Sequence, residues 1–281
     1  MRTIECARIT DAVAGLCAEA NFILPGDVEE ALSSCFKKEP SPIGREVIGA
    51  LLENARIAGE ESLPICQDCG LAVVFLEVGQ EVRLTGGDLE RAVQEGVRKA
   101  YVGRYLRKSV VDDPLFERKN TKDNTPAVIH TEIVPGDHLK ITILPKGGGS
   151  ENMSALGLLA PSLGARGVVE FVVQAVERAG SNPCPPVIVG VGIGGTAEKA
   201  MLLAKRAILR KVGLKSLNPA IAELENEILE RVNALGIGPQ GFGGRMTALA
   251  VHIEEFPCHI ASLPVAVNLQ CHAARHKEAI L

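Results

Sequence analysis

Three cysteines stand in settings that suit ligands better than core fillers: Pro64-Ile65-Cys66-Gln67-Asp68, Asn182-Pro183-Cys184-Pro185-Pro186 and Asn268-Leu269-Gln270-Cys271-His272. Each lies where an apolar segment meets a break, whereas buried structural cysteines sit mostly inside apolar helices and strands. Thiolates at the ends of elements converge on an ion or cluster while the elements serve as scaffold. Three of them leave one corner of a tetrahedral or cubane site open for chemistry. Asp68 follows close behind Cys66 in the same loop. A carboxyl group beside a Lewis acid is the arrangement for moving a proton to or from bound water. Cys66-x-x-Cys69 is also the pattern of a zinc knuckle or redox dithiol. No second compact pair exists, however, and Gly70 with a strand-like run follows where a thioredoxin-type helix would start. Cys69 therefore reads as incidental. Cys6, Cys17 and Cys35 fall on helix patterns as packing residues, and Cys258, after a proline, is a weak fourth candidate.

Two glycine-rich stretches compete for attention. Gly190-x-Gly192-x-x-Gly195 matches the dinucleotide fingerprint between a strand and a helix. A second strand with an acidic end should follow that helix, yet another long helical pattern comes instead, with Glu223 inside it. The glycines then read as a tight turn aiming the amides of the Thr196 helix at an anion. Lys146-Gly147-Gly148-Gly149-Ser150 lacks the Gly-Lys-Ser/Thr end of a P-loop, and a nest of this kind suits a carboxylate as well as a phosphate. Arg104 and Arg107 close a basic helix end, where the dipole favours them and where one could clamp a carboxylate. His259 and His272, next to Cys258 and Cys271, carry little weight singly.

The elements that must position these groups are legible from periodicity. Helices are expected over Thr10 to Asn21, Asp27 to Lys38 and Ile43 to Ala58, separated by Pro25-Gly26 and Pro40-Ser41-Pro42. Leu71 to Val78 suits a buried strand, and Asp88 is a plausible N-cap for a helix running to about Lys108. Pro126 to Val134 and His138 to Leu144, around Pro135-Gly136-Asp137, predict a β-hairpin. Ser162 to Ala179, Thr196 to Val212 and Asn218 to Leu235 read as helices. Val187 to Val191, Thr247 to Ile253 and Ile260 to Leu269 read as strands. The expected class is α+β, one domain over residues 1–281, with a helical part to about residue 60 and a mixed part from about 61 around a cluster-binding cleft.

Composition narrows the function classes. The 281 residues are 46% apolar, enough for a sizeable core, and a net charge of −4 leaves no basic footprint for nucleic acid or anionic lipid. Aromatic residues make up 3% and Trp is absent, which disfavours base- or sugar-stacking platforms. No apolar run approaches the ~20 residues of a membrane span, and Glu5 interrupts any signal-like start. A cytoplasmic protein with reduced thiols is the expectation. From the residues alone, this is a metal or cluster enzyme acting on a small anion.

Five ordered motifs carry a resemblance beyond that: Leu63-Pro64-Ile65-Cys66-Gln67-Asp68, Asp123-Asn124-Thr125-Pro126-Ala127-Val128, Lys146-Gly147-Gly148-Gly149-Ser150-Glu151-Asn152-Met153, Cys184-Pro185-Pro186 and Gly190-Val191-Gly192-Ile193-Gly194-Gly195-Thr196. Together they resemble the class I, iron–sulfur fumarate hydratases, and the same block occurs in L-tartrate dehydratase. The resemblance covers the family's α region. It implies a [4Fe–4S] cluster held by Cys66, Cys184 and Cys271, with the fourth iron binding the substrate hydroxyl and a carboxylate. It places the family's Gln-Asp pair on Gln67 and Asp68, its arginine clamp on Arg107, its carboxylate-binding glycines on Gly148 and Gly149 and, more loosely, a substrate-binding histidine on His259. Asp68 would act as the catalytic acid. Cys69 departs from the pattern, standing where the family commonly has Thr. The family's β region, which supplies the proton-abstracting base, is not in this chain. The resemblance therefore implies a fumarate hydratase β subunit as partner, in an α2β2 complex that acts on a small dicarboxylate. L-tartrate dehydratase is the alternative, and a cysteine-based metal sensor built on Cys66-x-x-Cys69 the remote one.

Overall fold

The computed structural model describes residues 1–281. In chain order the elements are β1 (Arg2–Glu5), α1 (Cys6–Phe22), α2 (Gly26–Lys38), α3 (Pro42–Glu61), β2 (Leu71–Gly79), β3 (Val82–Thr85), α4 (Leu89–Gly103), β4 (Val128–Val134) and β5 (Leu139–Lys146). There follow α5 (Gly148–Glu151), β6 (Ala155–Leu159), α6 (Gly164–Ala179), β7 (Val187–Gly194), α7 (Ala197–Ala207), α8 (Pro219–Ala234), β8 (Ala248–Phe256), β9 (Leu263–Gln270) and β10 (Lys277–Ile280). Helices and mixed sheets make this an α+β protein. Contacts divide it into two compact units. The first comprises Met1–Leu24, Ala55–Gly148 and Arg275–Leu281, the second Pro25–Asn54 and Gly149–Ala274.

The first unit is built on a four-stranded sheet in the order β10-β5-β2-β4, with β1 and β3 forming a separate parallel pair. The expected hairpin between β4 and β5 does not form. β2 lies between them, parallel to β4 in the register Val73↔Val128 and antiparallel to β5 in the register Leu76↔Ile141. The reason is apolar content. Ala72, Val73, Val74, Phe75 and Leu76 are all buried, so this run takes the centre. β4 carries His130, Thr131 and Glu132 and is largely solvated, which suits an edge. Gly79 completes the insertion: a side chain there would stand 2.4 Å from the Gly136 carbonyl oxygen. Helices α1 and α4 cover the sheet through Ile9, Val13, Cys17, Val93, Val97 and Tyr101. Asp88 caps α4 as expected, its carboxylate accepting from the Arg91 amide at 2.9 Å. The helix stops at Gly103 rather than near Lys108, because Tyr105 turns to a positive φ of 57° and drops Leu106 into the core.

The second unit carries a mixed sheet in the order β6-β9-β7-β8, with β7 and β8 parallel and β9 antiparallel to its neighbours. Helices α6, α7 and α8 pack on it. The valine-rich face of α6 meets Val189, Val191, Val265 and Val267. Gly190 and Gly192 are strand residues that let α7 lie directly on β7. A side chain at 192 would stand 2.0 Å from the Ala200 carbonyl oxygen, and one at 190 would stand 2.2 Å from that of Ala204. The fingerprint-like glycines thus serve close helix–strand packing. At the start of α7 the Thr196 hydroxyl donates to the Glu198 carboxylate, so a carboxylate of the chain already lies at that helix end.

Candidate functional site

In the first unit, the loop from Pro64 to Gly70 leaves α3 and enters the central strand β2. It is held at several points. The Ile65 amide donates to the Asn21 carbonyl at 2.9 Å, and the Tyr101 hydroxyl donates to the Cys69 carbonyl at 2.8 Å. Asn124, fully buried at a φ of 62°, accepts from the Ser109 amide and donates to the Gly70 carbonyl. The Asp-Asn-Thr-Pro motif therefore acts as a brace for this loop. Gly70 is needed where it stands, since at a φ of 70° a side chain would meet the Lys146 backbone at 2.7 Å.

The loop displays Cys66, Gln67 and Asp68 together. The Cys66 thiol lies 3.3 Å from Gln67 Oε1, and Cys66 Sγ accepts from the Asp68 amide at 3.4 Å. The Asp68 carboxylate bridges two segments, accepting from the Gly70 amide at 2.9 Å and from the Gly148 amide at 2.8 Å. The expected carboxylate-binding amide of Gly148 is thus engaged by a carboxylate of the chain itself. The glycine-rich stretch is no open loop: Lys146 ends β5 and Gly148 begins the short helix α5. Arg107 lies beyond the end of α4 with an exposed side chain, and its amide donates to Cys69 Sγ at 3.2 Å. Cys69 is buried and burial pushes its thiol up, which sets it apart from the half-buried Cys66.

The second unit holds Gly149, Cys184, His259 and Cys271. Cys184 is exposed at the tip of a turn, with a φ of 56°. That left-handed conformation is costly for a cysteine and persists only where its surroundings impose it. The restraints come from Gln240 and His272. Gln240 donates to the Pro185 carbonyl from both its amide and its side chain at 2.7 Å, and the His272 amide donates to the Cys184 carbonyl at 3.2 Å. His272 Nδ1 lies 3.1 Å from the same carbonyl, so the residue after Cys271 is fastened to the Cys184 turn. Gly149 sits against this turn as well, since a side chain there would stand 3.0 Å from the Asn182 carbonyl oxygen. His259 makes its hydrogen bonds within its own loop, accepting from the Ala261 amide. It shares a pocket of about 640 Å³ with Thr196, Lys199, Phe256 and Cys258.

Gln240 and Arg275 lie in no motif, so nothing in the sequence marks them. Arg275 is buried and donates from Nη2 to the Asp68 carbonyl. The thiols available for ligation are Cys66, Cys184, Cys258 and Cys271, since Cys6, Cys17, Cys35 and Cys69 are buried. Within neither unit do three or more His, Cys, Asp or Glu side chains gather as a single-ion site does. Taken unit by unit, the accessible thiols are soft donors, and Cys66 accepts an amide hydrogen bond as iron–sulfur ligands do, a chemistry that fits an iron–sulfur cluster.

The family described as fumarate hydratase (fumerase) matches residues 10–280. The putative L(+)-tartrate dehydratase subunit alpha of Methanocaldococcus jannaschii is 45% identical over 95% of this chain and 95% of its own length. The L(+)-tartrate dehydratase subunit alpha of Escherichia coli K12 is 36% identical over 95% of this chain and 89% of its own. The chain belongs to the fumarate hydratase (fumerase) family.

Proposed function

We propose that this member of the family is the α subunit of a [4Fe–4S]-dependent hydro-lyase that interconverts fumarate and (S)-malate, its two units serving as one functional domain over residues 1–281. The observation that carries the reading is the Cys66-Gln67-Asp68 loop, which presents a thiol, an amide and a carboxylate side by side in a chain that the family matches almost end to end. Cys66, Cys184 and Cys271 hold the cluster. When bound, the cluster supplies a Lewis-acidic iron that makes the substrate hydroxyl a better leaving group.

The chain's own residues do the rest. Asp68 delivers the proton to the departing hydroxyl in dehydration and takes it back in hydration. Its bond to the Gly148 amide holds the carboxylate in one orientation before substrate arrives, and releasing that bond frees the amide for a substrate carboxylate. The exposed Gln67 and Arg107 side chains, with Gly149 and His259, bind and orient the dicarboxylate, so that proximity contributes part of the rate. Arg107 does so as a bidentate clamp.

The base that removes the C3 proton comes from a separate β subunit, in an α2β2 complex. The relatives' names support a separate second subunit, since both are given as subunit alpha, one of them as putative, and are matched over nearly their full length. No helix is long and apolar enough to cross a membrane, in keeping with a cytoplasmic enzyme. A second reading, L(+)-tartrate dehydration to oxaloacetate, is favoured by those same names. The test is to assemble the anaerobically reconstituted chain with its partner subunit and follow fumarate, malate and L(+)-tartrate in parallel. Consumption of fumarate and malate supports the first reading and consumption of tartrate alone the second. An intact, cluster-loaded complex that consumes none of them overturns both. Zinc in place of iron in the purified chain would remove the cluster assignment.

A further inference from the structure

Arg275 is among the most deeply buried side chains of the protein, 1% exposed, although a guanidinium stays charged at any physiological pH. Its Nη2 donates to the carbonyl of Asp68. Its Nε and Nη1 have no hydrogen-bond partner. A buried cation with idle donors is costly, and such charges persist where an opposite charge compensates them. No carboxylate forms an ion pair with it. Asp68 offers it a carbonyl, while its carboxylate oxygens accept from the Gly70 and Gly148 amides. The charge is felt nearby all the same: burial pushes up the thiol of Cys69 and the hydroxyl of Tyr101, the α4 residue that holds the Cys69 carbonyl, and the Arg275 charge opposes that rise at both.

A group so deeply buried is out of reach of a substrate that must enter and leave. The compensating anion is therefore a resident one. We propose that Arg275 is a positioning and charge-balancing residue for the cluster site. It holds the Cys66-Gln67-Asp68 loop from behind through the Asp68 carbonyl, and its buried positive charge offsets the negative charge that the cluster and its thiolates bring to that loop. The inference rests on the cluster reading above and extends it to a residue outside the ligand set and outside the substrate-binding groups.

The test compares the full chain, reconstituted anaerobically, with its Arg275→Lys and Arg275→Gln variants. Iron content and the cluster's reduction midpoint are the readouts. Loss of a buried positive charge should move the midpoint of Arg275→Gln to a more negative value, and shorten the lifetime of its cluster under a chelator by tenfold or more. Arg275→Lys keeps the charge and should restore the midpoint while recovering only part of the lifetime. Should Arg275→Gln fail to fold, a wild-type midpoint with a shortened lifetime in Arg275→Lys still supports the charge and positioning role, and a shifted midpoint there overturns it. A cluster-loaded Arg275→Gln with an unchanged midpoint overturns the proposal and leaves the cluster reading standing. A wild-type chain that takes up no iron overturns both.

Discussion

At the residue scale, the eight cysteines are the sharpest case of one side chain with several fates. Burial pushes the thiol of Cys17 up to about 12 and that of Cys35 to about 11, so both stay protonated and inert at neutral pH. Cys6 and Cys69 are buried too, while Cys66, Cys184, Cys258 and Cys271 reach the surface. Brief alkylation of the cluster-free folded chain, read by peptide mass mapping, should modify those four well ahead of the buried four; rapid labelling of Cys17 would contradict the packing described. Asp68 is the residue on which the proposed chemistry turns. Asp68→Asn keeps one acceptor oxygen, enough to hold the Gly70 amide within the loop while the Gly148 tie is lost, so iron content should survive while kcat falls by about 10²- to 10⁴-fold, the usual range for losing a general acid. Unchanged turnover in the assembled complex would take Asp68 out of the mechanism.

At the scale of elements, close approach does the positioning. Helix α7 lies on β7 only because residues 190 and 192 lack side chains. Gly192→Ala would push a methyl group into the Ala200 carbonyl and should cost about 1–3 kcal/mol in urea unfolding, the range for overpacked sites. A neutral result would mean that α7 shifts freely along the strand. Glu39, which follows α2, is buried and accepts from the amides of Ser41, Arg245 and Met246 at 2.8 to 2.9 Å. Glu39→Ala would strand these donors, at about 1–3 kcal/mol for each left unsatisfied. It should lower the thermal midpoint and loosen the segment after Gly243, measurable as faster amide exchange at Arg245 and Met246. The fully buried run of β2 shows why strands were legible and their pairing was not. Periodicity found β4 and β5, but only the competition for burial decided that a third strand would separate them.

At the scale of the whole molecule, stability carries a pH dependence that the buried His252 makes explicit. Burial, and then the Arg210 charge, lower its pKa from 6.5 to about 4, with Glu225, the Ala207 carbonyl and Asp27 opposing. Between those values the unfolded chain binds a proton that the folded chain refuses, so this contribution to stability is present above about pH 6.5 and lost as pH falls towards 4. Going from pH 7 to pH 5 should cost about 2 kcal/mol from this group, read from urea midpoints. His252→Phe should remove that slope, and an unaltered slope would assign it to other groups.

The sequence by itself determined the α+β class, most of the helices and the family. These depend on local periodicity, on breaks and on short motifs that survive as strings. The tertiary structure alone decided the central place of β2, the packing role of Gly190 and Gly192, the separation of Cys69 from Cys66, the Asp68–Gly148 tie and the burial of Arg275. Each of those depends on which distant segments meet. Burial, hydrogen-bond satisfaction and steric exclusion act between such segments without leaving a spacing in the chain to be read.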